Sequence, residues 1–349
     1  MKKEEREKNG CRCETAASSG LLKVFLRGAG QVVFQNSAWS GLLFIVGLFW
    51  GAYASGVGYV AWGGMLGLAV ATLTGYILNL MRRDGEQGLW GFNGMLLGCA
   101  LPALLMPNVW VWLCVVLFAM FTTFVRAGFN NIMSRWKINS LTFPFVLCTW
   151  IVLASSHAMH AASPEYTMLP AIVAPGVSLR FTDLALYWLR GISQLFFVDS
   201  WIAGLFILAG LAVNNLWAAV WAAVGSAVAL LAAFLFRMAG AEIVLGIYGF
   251  NAVFTAVALG AIFYKPGFRS ALWALFGIVM TIFVQEAAGV VAAPFGLLPL
   301  TFPFCITAWL FLLPLVKVDD NEHPDHSNWF ADNKRHLAKR RRCCHVEVQ

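Results

Sequence analysis

The stretch Gly88–Leu101, GLWGFNGMLLGCAL, returns as Gly246–Leu259, GIYGFNAVFTAVAL, and this duplication restricts the possible folds more than any other feature of the chain. Gly-x-aromatic-Gly-Phe-Asn and the closing Ala-Leu stay in register, 158 residues apart from Asn93 to Asn251. A second pair follows each copy: LTFPFVLCTW at Leu141–Trp150 and LTFPFCITAW at Leu300–Trp309, 159 residues apart. A weaker pair precedes them, Gln31-x-x-Phe34 with Gly41 against Gln194-x-x-Phe197 with Gly204, 163 residues apart. Three matches in the same order at nearly constant offset describe one unit used twice. Function is therefore sought where the two units meet.

The medium in which the unit folds follows from charge. Hydrophobic residues make up 60% of the 349 and charged residues 12%, half the roughly one quarter of a soluble domain. Met1–Gly20 holds nine charges and Lys317–Gln349 thirteen, leaving 19 for all of Leu21–Val316. At about 20 residues per span, that middle accommodates ten spans, their loops and two shorter segments. The formal charge of +7 then concerns membrane orientation and anionic lipid, with no nucleic-acid partner expected. Residues 1–20 lack the apolar core of a signal peptide. The eight cysteines make no disulfide framework: Cys99, Cys114, Cys148 and Cys305 stand singly in apolar runs, where Cys acts as a small hydrophobe. The spacing of Cys343, Cys344 and His345 fits no usual zinc pattern, so no metal and no cofactor is expected.

In order, 1–20 reads as a disordered tail and Leu21–Phe34 as an apolar segment too short to span, hence interfacial or re-entrant. Spans are predicted near 38–56, 59–80, 89–106, 109–127 and 141–158, with Arg126 through Lys137 taken as a polar join. The first repeat thus covers 21–160. A proline-bearing linker over 161–184 leads to a second repeat over 185–316. Its short segment lies near 185–198 and its spans near 200–218, 219–237, 243–263, 270–291 and 299–316. The tail 317–349 carries the basic cluster Lys334–Arg342, read first as a solvated tail and second as a contact for anionic headgroups. With the N-terminus inside, nine of twelve basic residues of the middle fall on the cytoplasmic side, and ten spans return the C-terminus there too. An odd number of spans per repeat inverts the second half relative to the first. The expected fold is an all-α integral membrane protein: ten transmembrane helices, two short re-entrant helices, and two inverted repeats of five spans.

The acidic residues Asp84, Glu86, Glu165, Asp183, Asp199, Glu242 and Glu286 all fall at or near predicted span ends, and no His is mid-span. An ion-coupled carrier or pump needs an intramembrane carboxylate or His relay, and a membrane enzyme a nucleophile or acid–base pair. Neither pattern is present. What remains is neutral and twinned: Gln31/Gln194, Phe34/Phe197, Phe92/Phe250, Asn93/Asn251 and Thr142/Thr301. Asn93 and Asn251 read first as helix caps. The glutamines are harder to dismiss, because an amide near the bilayer interior must find a partner. With Phe three residues on, each suggests a helix face bearing a hydrogen-bonding group beside an aromatic plate.

These residues resemble the urea transporter family, over nearly all of Leu21–Val316. The aromatic-Gly-Phe-Asn twin together with the doubled LTFPF carries the likeness. The resemblance implies passive permeation of urea through a narrow pore at the interface of two inverted repeats, in a homotrimer of such channels in the plasma membrane (the inner membrane in a bacterium). It implies that re-entrant helices supply Gln31, Val32 and Phe34, then Gln194, Leu195 and Phe197. The third spans would supply Phe92 with Leu96 and Phe250 with Phe254, and the fifth spans Thr142 and Thr301. Phe254 departs from the pattern, since repeat symmetry with Leu96 asks for an aliphatic there.

The chemistry suits urea, which is planar and neutral, with four N–H donors and one carbonyl. Facing Phe rings make a slit that admits a flat molecule and offers a hydrated ion no ligands. Oxygens of Gln, Thr and broken helix ends replace lost water hydrogen bonds. Each such bond nets about 0.5–1.5 kcal/mol, weak enough for fast exit from a channel. The second reading is a channel for ammonia or another small amide, and the third an ion-coupled carrier or intramembrane enzyme.

Overall fold

The computed structural model describes residues 20–78, 80, 82–159 and 177–314. The tail expected over 1–20 lies outside these residues except for Gly20. The tail over 317–349, with Cys343, Cys344 and His345, lies wholly outside, as does most of the linker over 161–184.

All regular structure among the described residues is helical. In the first half α1 (Leu21–Gln31), α2 (Ala38–Ala54), α3 (Gly58–Ile77), α4 (Arg82–Glu86), α5 (Phe92–Leu104), α6 (Val109–Met133) and α7 (Phe143–Ser156) follow one another. The second half repeats that order as α8 (Phe181–Ser193), α9 (Trp201–Asn214), α10 (Leu216–Leu235), α11 (Gly240–Leu245), α12 (Gly249–Val257, with a π turn Ala258–Ile262), α13 (Phe268–Ala292) and α14 (Phe302–Leu312). The starts are chemical. Ser37 and Ser200 accept the N–H of Ser40 and Ala203 at the heads of α2 and α9. Asn108 caps α6, Asn215 caps α10, and Pro occupies the first turn of α7 and α14.

Among the described residues four helices are long and apolar enough to cross a bilayer, and they form two twin pairs: Gly58–Ile77 with Leu216–Leu235, and Val109–Trp136 with Phe268–Phe295. The 20-residue pair measures about 30 Å, the thickness of the hydrocarbon core. The helices α2, α5, α7, α12 and α14 are apolar but shorter. The expected spans 141–158 and 299–316 begin with a turn, and helix starts only at Phe143 and Phe302, because Leu-Thr-Phe-Pro cannot enter an α-helix from within. Two boundaries move. The second short helix begins at Phe181, inside the expected linker, and is bent by 71° from α9. Arg126, expected at a join, lies inside α6, which runs on to Met133.

The two halves pack alike. Within each, the short helix lies on the next helix (α1 on α2, α8 on α9), α3 packs on α5 as α10 does on α12, and α6 on α7 as α13 on α14. Gly63 and Gly67 of α3 face Gly98 and Gly94 of α5, where any Cβ would strike the opposing carbonyl. Between apolar helices in lipid, such close backbone approach replaces the hydrophobic drive available in water. Every residue of Phe92–Pro102 is buried as a result. The broadest contact between the halves joins α2 to α9.

Candidate functional site

The α1 helix ends in a tight hydrogen-bonded turn, with Phe34 N–H on Gln31 O at 3.1 Å and Gln35 N–H on Gly30 O at 2.9 Å. That turn requires a left-handed residue, usually Gly, and here Phe34 takes it at φ 59°. Its twin Phe197 does the same at φ 60°, and Leu141 and Leu300 both adopt φ 50° one residue before Thr142 and Thr301. A bulky side chain in this conformation costs about 1–3 kcal/mol, and such strain collects at functional positions. Of the six non-glycine residues at positive φ among the described residues, these four stand at or beside the sequence-predicted site and Lys137 and Arg237 do not.

Each short helix is tied to the loop before the Phe-Asn helix of its half. Gly88 and Gly246, at φ 78° and 75°, let that loop pass against the backbone of Arg27–Gly28 and Arg190–Gly191, where a Cβ would collide. Gln31 Nε2 then donates to Gln87 O (3.0 Å) and Gln194 Nε2 to Leu245 O (2.9 Å). Arg27 and Arg190 donate likewise to Glu86 O (2.7 Å) and Val244 O (3.0 Å). The amide nitrogens of the two glutamines are therefore engaged in structure. Each amide retains its oxygen as an acceptor and the second N–H as a donor. Val32 and Leu195 are buried in the hydrophobic core.

Asn93 and Asn251 cap helices other than their own. Their Oδ1 atoms accept Phe145 N–H (3.2 Å) and Phe304 N–H (3.4 Å), satisfying free donors in the first turns of α7 and α14. This fixes the two LTFPF segments, which meet each other. Thr142 Oγ1 and Thr301 Oγ1 are 2.7 Å apart and both buried, with Cys305 Sγ 3.3 Å from Thr142 Oγ1. Around them the aromatic contacts cross between halves in matched pairs. Phe34 meets Phe304, and Phe197 meets Phe145, each at a centroid distance of 6.1 Å and 69°. Phe143 meets Trp309 at 5.3 Å and Phe302 meets Trp150 at 5.2 Å. Contacts that return when the halves are exchanged are those of a two-fold relation.

The symmetry fails at Phe254. Leu96 and Phe254 are both fully buried, but Phe254 stacks on Phe304 at 5.2 Å and 27°, and Phe304 carries the edge contact to Phe34. Phe92 is buried, and its twin Phe250 is half-buried against the core.

Gln31, Phe34 and Phe92 line one small cavity with Leu89, Arg126, Asn130, Asn139, Ser140 and Leu141. It is open to the centre of a water molecule over about 20 Å³, room for about one water. Asn130 Oδ1 accepts Ser140 N–H and Asn139 Oδ1 accepts Leu141 N–H, holding the strained turn in place. Arg126 is the unexpected member. Its two terminal nitrogens each lie 3.0 Å from Asp84 Oδ2, with side-chain exposures of 5% and 15% for the pair. Sequence reasoning missed Arg126 by treating a charge in an apolar run as a boundary. Its twin position, 159 residues on, is Gln285 within α13, and that match is the signal that places it inside a helix. Cys305, by its sequence setting a small hydrophobe, also touches the Thr142 hydroxyl. Among the described residues no group of three metal-ligating side chains occurs.

Comparison with known proteins bears on what this arrangement does. The sequence profile of a family described as "Urea transporter" matches residues 22–316. The chain is 29% identical over 305 residues to "Urea transporter 1" of Ovis aries, covering 84% of this chain and 76% of that protein. It is 25% identical over 339 residues to "Urea transporter 1" of Mus musculus, covering 90% and 84%.

Proposed function

Because this chain belongs to the urea transporter family, we propose that it is a passive channel for urea, its pore running between the two halves past the Thr142–Thr301 pair. It is a membrane-embedded transporter and not an enzyme. The observation that carries the channel reading is that hydroxyl pair, buried between halves and flanked by the matched contacts Phe34–Phe304 and Phe145–Phe197. Facing rings suit a flat neutral solute, and central hydroxyls can both donate to its carbonyl and accept from its N–H groups. Gln31, Gln194, Phe92, Leu96, Phe250 and Phe254 line the way on either side, with Val32 and Leu195 contributing through the backbone of the short-helix ends.

In this reading α1 and α8 are re-entrant, the remaining helices other than the short α4 and α11 make ten spans in two inverted repeats, and both termini face the cytoplasm of a plasma membrane. The matched contacts between halves support one pore per chain, so a homotrimer would hold three. The test is stopped-flow osmotic swelling of proteoliposomes in urea, repeated with proton and sodium ionophores and with ammonia. A channel gives urea flux untouched by ionophores. Flux that collapses with an ion gradient means a coupled carrier, and ammonia flux far above urea flux means the second substrate reading.

A further inference from the structure

We propose that Arg126 is a specificity-determining residue, the group that turns cations away at the first-half mouth of the pathway; this rests on the channel reading above. The observation is an asymmetry inside a symmetric frame. At the first-half mouth the guanidinium of Arg126 lines the cavity with Gln31, Phe34 and Phe92, while its partner Asp84 does not. The buried pair therefore presents its positive end to the pathway. At the twin position Gln285 is neutral, donating to Ile247 O at 3.3 Å and accepting from Asn251 Nδ2 at 2.9 Å. Arginine offers no acceptor. Asn251 Nδ2 donates to Leu300 O as well, at 3.0 Å, whereas its twin Asn93 Nδ2 is buried without a hydrogen-bond partner. The first half thus carries an unmade hydrogen bond and a buried ion pair where the second half shows that glutamine fits, and neither favours stability.

The need for a charge follows from the substrate. Guanidinium is planar and nearly the size of urea, so a slit between aromatic rings cannot reject it by shape. A fixed positive charge in a poorly solvated mouth can.

The experiment compares guanidinium and urea permeability in proteoliposomes for wild type, Arg126→Gln, Arg126→Lys and Asp84→Asn/Arg126→Gln, each normalised to folded protein. The guanidinium-to-urea ratio should rise about tenfold or more in Arg126→Gln and in the double variant, and stay at the wild-type value in Arg126→Lys. Urea flux with an unchanged ratio in both would show a pair that only ties α4 to α6, overturning this assignment and leaving the channel intact. A rise in the single variant but not the double would show attraction by bared Asp84, which also overturns it. Should the variants not fold, the wild type decides: guanidinium should slow urea flux only when applied from the second-half side. Equal effects from both sides would refute it, and absence of urea flux in the wild type would remove the channel reading as well.

Discussion

Thr142 and Thr301, twins 159 residues apart, share one hydrogen bond of 2.7 Å between their hydroxyls. The contact joins equivalent residues of the two halves, so exchanging the halves leaves it in place. Thr142→Val and Thr301→Val should each slow urea flux by about five- to 150-fold, the kinetic equivalent of leaving one polar group unpaired at about 1–3 kcal/mol. The double variant should recover thermal stability relative to either single, because both partners are gone, yet recover no flux. Flux per folded protein and Tm across the three variants check this. Wild-type flux in the double would take the hydroxyls out of the pathway.

Gln31 and Gln194 each bond to a backbone carbonyl through the amide nitrogen, the proposed pathway role falls to the oxygen, and glutamate separates the two. Gln194→Leu should lower both Tm and flux, because the bond to Leu245 O and the free acceptor are lost together. Gln194→Glu keeps an acceptor oxygen at the same reach but, when ionised, no N–H for Leu245 O, so it should lower Tm as leucine does while losing less flux. Equal flux per folded protein in the leucine and glutamate variants would contradict this.

Much of this arrangement is legible in the sequence, for a physical reason. A repeat must satisfy the same backbone in both copies, so Gly88/Gly246, Asn93/Asn251, Thr142/Thr301 and the Gln-Phe turns persist wherever geometry is least forgiving. Helix limits are less legible, because an apolar run such as Leu141–Trp150 carries no mark separating its opening turn from its helix until a proline appears. The Phe145–Phe197 and Phe34–Phe304 crossings are invisible in either repeat alone, since they exist only between halves. The least legible residue is Arg126. Single-chain hydropathy places a charge at an interface, and only an acidic partner 42 residues away, Asp84, allows it inside.

The packing of α3 on α5 predicts a defect of fold rather than of selectivity. Gly94→Ala places a methyl against Gly67 O and the Ala71 methyl, neither of them the far end of a flexible side chain that could yield. Overpacking of this kind costs about 1–3 kcal/mol. Detergent-solubilised Gly94→Ala should melt several degrees lower than wild type while the guanidinium-to-urea ratio of its folded fraction is unchanged. A variant as stable as wild type would mean that the two helices separate more easily than this close approach implies.

Phe254 is where the second half abandons the pattern of the first, and its ring stacks on Phe304, which in turn meets Phe34. Phe254→Leu restores the residue found at Leu96 and removes one layer from this three-ring assembly. The cavity left behind should cost about 1–2 kcal/mol, less than the 3–5 of a Phe→Ala truncation, because leucine refills part of the space. Phe304 then gains room to tilt away from Phe34, and the slit can widen on that side. Methylurea, acetamide and thiourea should therefore gain permeability relative to urea, by more for the bulkier solute. The reciprocal Leu96→Phe should tighten the same series, since it builds in the first half the stack the second half already has. The check is the ordering of permeability ratios across the three solutes in both variants. An order unchanged from wild type would place Phe254 in the packing between α12 and α14 and not against the permeating molecule.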